Sequence, residues 1–110
     1  MSNRLEKVNK HIHRTFGEIL LEIADLPANV MVTVSRVETT HNLKAATIWL
    51  YVFPDEAEDK IMEMLKPQMY ELQGELNRQL DFKPLPRIRL RIDHGAQHAQ
   101  RINEALENLE

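Results

Sequence analysis

Ten cationic side chains in this sequence have the reach and spacing to hold phosphate. Arg4, Lys7, Lys10 and Arg14 recur at intervals of three and four, the spacing that gathers side chains on one face of a helix. Lys66 and Arg78 stand in a second helical stretch, and Lys83 follows it. Arg87, Arg89 and Arg91 alternate with Ile88, Leu90 and Ile92, as one face of a strand does. In another strand-like run Trp49 and Tyr51 share a parity with Thr47. Cations with reach, set beside flat rings, are what phosphates and unpaired bases require, so the chemistry on offer is RNA binding. Two surfaces qualify: the helical row of Arg4, Lys7, Lys10 and Arg14, joined by Lys66 and Arg78, and a sheet face bearing the three alternating arginines and the rings. Each also has a plainer reading. A charge row is commonly a solvated face, and Trp49 and Tyr51 can cover a sheet with arginine stems packed over them.

Other chemistries find less support. The chain has no cysteine, Ser2 and Ser35 are its only serines, and no nucleophile elbow, phosphate loop, GxGxxG or HExxH occurs. His94 and His98 have an i, i+4 spacing, but Gly95 between them favours a loop over Asp93 to Gln97, and His11 and His13 point to different sides of a helix. Pairs such as Glu56 with Asp59 and Glu104 with Glu107 have the spacing of solvated helix faces. We therefore expect no enzyme, metal site or cofactor.

The 110 residues, 43% hydrophobic and 28% charged, suit a single domain over residues 1–110. The net charge of -3 excludes any argument from overall basicity, so an RNA site must be a local patch. Without cysteine, and with a charged start and no long apolar run, the sequence predicts a cytoplasmic protein that neither enters nor crosses a membrane. A monomer is expected, since no exposed heptad or long apolar edge is evident.

The elements that must position these residues follow from periodicity. Leu5, Val8, Ile12, Phe16, Ile19, Leu20 and Ile23 predict a helix from Arg4 to Asp25, closed by Pro27, with Lys7, Lys10, His11 and Arg14 opposite its apolar stripe. Val30 to Glu38 predicts a strand with Val30, Val32 and Val34 on one side. Thr39 to Asn42 predicts a turn, and Ala45 to Phe53 a returning strand with Ala46, Ile48, Leu50 and Val52 inward. Asp55 to Leu80 is helical in spacing, with Asp55 as N-cap, but Pro67 must split it into helices near 56–66 and 68–80. A third strand follows at Arg87 to Ile92, and Ile102, Leu106 and Leu109 suggest a terminal helix from His98. The expected class is α+β, in the order helix, strand, strand, broken helix, strand, helix, with a three-stranded sheet packed on helices. This is the order of a type II KH module.

On these residues the chain resembles the ribosome-binding factor A family. The opening Arg4-Leu5-Glu6-Lys7-Val8, followed by Ile12 and Ile19-Leu20, is similar to that family's first helix. Val32-Thr33-Val34-Ser35-Arg36-Val37-Glu38, then Asn42-Leu43-Lys44-Ala45-Ala46 and a strand ending Tyr51-Val52, resembles its hairpin. Leu80, Lys83, Pro86, Ile88, Leu90 and Asp93 match the spacing of its third strand, and Arg101-Ile102 its last helix. The likeness spans residues 4 to 107. It implies a KH-like fold that binds the free or immature 30S ribosomal subunit and its 16S RNA, assists late RNA processing and maturation, and has assembly GTPases as further partners. It also implies a helix kink of the form Ala-x-Gly. That kink falls on Gln68-Met69-Tyr70, where neither the alanine nor the glycine is present, so Pro67 or Gly74 must supply the break, and a family arginine just beyond falls on Gln73. A rival reading makes the broken helix, with Met62, Met64 and Met69, a protein-binding surface.

Overall fold

The computed structural model of the protein describes residues 2–83 and 85–95. Helix α1 spans Ser2–Glu22, strand β1 Met31–Thr39 and strand β2 Ala45–Phe53. A 3-10 turn at Asp55–Ala57 leads into α2, Glu58–Leu65; a second, Lys66–Gln68, joins it to α3, Met69–Gln79; strand β3 is Arg87–Ile92. The sheet has the order β1-β2-β3. A short turn lets β1 and β2 run antiparallel, whereas β3 returns parallel to β2 after the α2–α3 crossover. This is the expected α+β arrangement of a type II KH module. The terminal helix expected from His98 lies outside the described residues.

The inward rows of the elements build one core. Ile12, Phe16 and Ile19 of α1, Ile48, Leu50 and Val52 of β2, Ile61 and Leu65 of α2, and Leu72 and Leu76 of α3 are all at most 1% exposed. Each such side chain contributes roughly 1.5–3 kcal/mol by leaving water, so their periodicity fixes which face each element turns inward. Among the described residues the helices therefore cover one face of the sheet and leave the other open.

Three local expectations are corrected. First, α1 ends at Glu22, so Ile23 leaves the apolar stripe and is 38% exposed. Second, β1 does not alternate strictly. Val34 faces Leu50 while Arg36 faces Trp49, leaving Ser35 as the extra residue of a β-bulge. Unbroken alternation would have put Arg36 opposite Ile48, inside the core; the bulge turns it to the open face and lets Val37 take the inward position. Third, Asp55 is no N-cap. It sits inside a 3-10 turn with no side-chain cap, and Asp55, Glu56, Glu58 and Asp59 instead cluster where the helix dipole favours negative charge.

Candidate nucleic-acid interface

The hairpin turn and the segment before β3 bring separate stretches of sequence together at the start of α1. Leu43 holds a left-handed conformation, φ 60°, in a turn where Asn42 accepts from the Thr40 hydroxyl at 2.6 Å and the Lys44 amide at 3.0 Å. Its side chain packs against the core and, with Val8 and Phe82, lines a small open pocket of about 190 Å³ rimmed by Arg4, Lys7 and Lys83. The rings of His11 and Phe82 lie 6.3 Å apart there. Lys44 and Arg87 stand at the same end of the sheet, where the Arg87 amide donates to the Lys44 carbonyl at 3.0 Å.

Ion pairing separates the predicted cations. Among the described residues, no carboxylate lies within ion-pair distance of Arg4, Lys7, Lys10, Lys66, Lys83, Arg87, Arg89 or Arg91. Arg14 pairs with Glu18 at 3.5 Å and Arg78 with Glu75 at 3.1 Å. The Arg78 hydrogen bond is also the main reason the Glu75 carboxyl is held below its usual range. Arg78 is thus already engaged and lines a groove with Tyr70 and Arg87 between α3 and β3, apart from the helical row. Lys66 does not join that row either: it stands at the break, which Gln68 ties to Asp25 just past the far end of α1.

The second predicted surface assembles as expected. Thr47 pairs in register with Arg89 and Trp49 with Arg91, on the open face. Arg36, overlooked in the sequence, completes it: its guanidinium lies 4.4 Å from the Trp49 ring centroid. Asp93 reaches across β2 to accept from the Ser35 hydroxyl and to pair with Arg36 at 3.6 Å, tying the bulge to the end of β3. The signal for Arg36 was a charge at an inward parity between Val34 and Val37. An open groove of about 690 Å³, walled by Lys7, Lys10 and His13 of α1 and by Ser35 and Arg36 of β1, runs between the two surfaces.

The helix breaks at Pro67, where the sequence places the split, and just ahead of most of the positions that the family likeness assigns to the kink. The break is the 3-10 turn Lys66–Gln68 around Pro67, whereas Met69 and Tyr70 already belong to α3 and Gly74 lies within it. Proline has no amide to continue the α-helical bonding, which accounts for the tightened turn. Gln68 does not face outward. Its amide donates to the Met64 and Asp25 carbonyls at 3.0 and 3.1 Å and accepts from the Asp25 amide at 2.7 Å. Met69 packs against the core, and Tyr70 is 94% exposed. His94 and Gly95 adopt helical geometry rather than the expected loop. Among the described residues no group of three or more His, Asp or Glu could hold a metal ion, and no helix is long and apolar enough to cross a membrane.

A three-stranded sheet of mixed direction, covered on one face by a helix and a broken helix pair and gathering free cations at one end, defines a KH-like module. Comparison with known proteins is consistent and more specific. Residues 4–106 match the family described as Ribosome-binding factor A, and the chain belongs to that family. Ribosome-binding factor A of Clostridium novyi is 30% identical over 108 residues, covering 96% of this chain and 89% of the relative. The crystal structure of ribosome-binding factor A from Thermus thermophilus aligns with a TM-score of 0.70 at 17% identity, covering 80% of this chain and 93% of its own. A homology model of the Thermus thermophilus protein, fitted into the cryo-EM map of its complex with the 30S subunit, aligns with a TM-score of 0.59 at 18% identity, over 74% and 86% of the two chains.

Proposed function

We propose that this protein is a cytoplasmic, non-enzymatic assembly factor that binds the immature 30S subunit and assists late maturation of its 16S RNA. One observation carries the reading: Arg4, Lys7 and Lys83, drawn from stretches far apart in the sequence, converge around Phe82 and His11 with no carboxylate partner among the described residues, in a molecule whose net charge is -3. Free cations concentrated at one end supply the local phosphate-binding field that the overall charge denies. Family membership and the 30S complex of the Thermus relative support the same partner. The rival protein-binding surface is less favoured, because Met62, Met64 and Met69 pack against the core.

The test is co-sedimentation with purified mature and immature small subunits at low and high salt. Binding should favour immature particles and weaken as salt rises. Lys7→Glu with Lys83→Glu should weaken it at least about tenfold and flatten the salt dependence by roughly one unit of slope for each phosphate no longer neutralised. Wild-type affinity in the double variant would remove this end of α1 from the interface.

A further inference from the structure

The open face of the sheet is not used by the proposed contact, and its side chains are more specialised than solvation requires. Arg36 faces Trp49 and Trp49 faces Arg91, so the three form one row across the three strands. Strands lie about 4.8 Å apart, which brings an indole and two guanidinium groups within roughly 10 Å. The Trp49 ring is fixed in place: Arg36 covers it at 4.4 Å, and its N–H donates to Glu38 at 3.0 Å. Arg36 is held in turn by Glu38 at 3.2 Å and Asp93 at 3.6 Å, yet its side chain stays 52% exposed. Those carboxylates offset its charge and leave its plane available. Arg89 and Arg91 are exposed, and no carboxylate among the described residues pairs with either.

A pre-organised ring and guanidinium pair beside two free arginines fits a base together with its flanking phosphates. A duplex offers phosphates but keeps its bases stacked inside, away from the ring, and an acidic polypeptide supplies charge but no base to stack. We propose that the open sheet face is a second RNA contact, taking a short single-stranded segment with one base stacked on the Trp49–Arg36 pair and phosphates on Arg89 and Arg91. It rests on the reading of the protein as an RNA-binding factor but uses a face that reading does not need.

Trp49 is the only tryptophan, so its emission reports on this site alone. Titration with an eight-nucleotide single-stranded oligoadenylate RNA should quench it saturably and less tightly as salt rises, while an RNA duplex of equal length and polyglutamate leave it unchanged. Arg89→Gln with Arg91→Gln, both exposed positions, should weaken binding at least about tenfold with an unchanged circular dichroism spectrum. By anisotropy of labelled RNA, Trp49→Ala should bind at least about fivefold more weakly, and Trp49→Phe should recover most of the loss. Quenching by duplex or polyglutamate to the same extent, or full affinity in the arginine or alanine variants, overturns the proposal. Absence of quenching, with salt-sensitive subunit binding intact, removes the sheet-face contact and leaves the assembly-factor reading standing; absence of both removes both. The Lys7→Glu, Lys83→Glu variant should keep the quenching.

Discussion

The family likeness implies an arginine at the position of Gln73, and the structure shows what the glutamine does there instead. Its side chain accepts from the Ile88 amide at 2.8 Å and donates to the Pro86 carbonyl at 3.2 Å and to Asn77 at 3.1 Å. These backbone groups lie on the edge of β3 that no strand covers, so Gln73 completes the hydrogen bonding of an edge that would otherwise stay open. We predict that Gln73→Leu costs about 1–3 kcal/mol, because both groups are part-buried and lose their partner. Gln73→Arg, the residue the family likeness implies, should also destabilise, since a guanidinium cannot accept from the Ile88 amide. Thermal unfolding of the two variants checks this, and an unchanged midpoint in either would refute the pin. The departure from the family pattern was readable in the sequence. Its consequence was not, because it depends on which edge of β3 is left free.

At the scale of elements, periodicity located α1, the three strands and the α2–α3 pair, and misjudged local details: the ends of helices, the bulge at Ser35 and the helical geometry at His94 and Gly95. The bulge at Ser35 escaped because valines stand on both sides of it and only the parity of Arg36 was inconsistent. The break at Pro67 was legible, because proline has no amide to continue the helix, whereas the alternative that Gly74 supplies it is not met in the structure. Gly74 then lies inside α3, where a Cβ would meet nothing closer than the far end of Arg78 at 3.6 Å. Gly74→Ala should therefore stabilise the protein by about 1 kcal/mol, the ordinary helix preference of alanine over glycine. A domain of this size would melt several degrees higher. A lower melting temperature would mean that α3 needs glycine there for a reason other than backbone freedom. The two edges of the sheet are each interrupted, β1 by its bulge and β3 by Gln73, which argues against strand-to-strand pairing between copies. We expect a monomer by sedimentation equilibrium.

At the scale of the whole molecule the charges divide along the sheet. The end of β2 at Ala45 carries Lys44 and Arg87 and adjoins Arg4, Lys7 and Lys83. The end at Phe53, roughly 27 Å away by strand rise, leads into Asp55, Glu56, Glu58 and Asp59. The sequence made clear that only a local patch could bind RNA, but not that Lys83 would meet Arg4 and Lys7, since that meeting depends on the β1–β2 turn and the approach to β3. The absence of native cysteine permits the most direct test of this polarity. A single cysteine introduced at Thr40, in the turn at the basic end, or at Glu56, at the acidic end, can carry a tethered iron–EDTA that cuts nearby RNA when the labelled protein is bound to immature small subunits. Strong, localised cleavage of 16S RNA from position 40 with little or none from position 56 is the result predicted here; equal cleavage from both, or cleavage from position 56 alone, would contradict it.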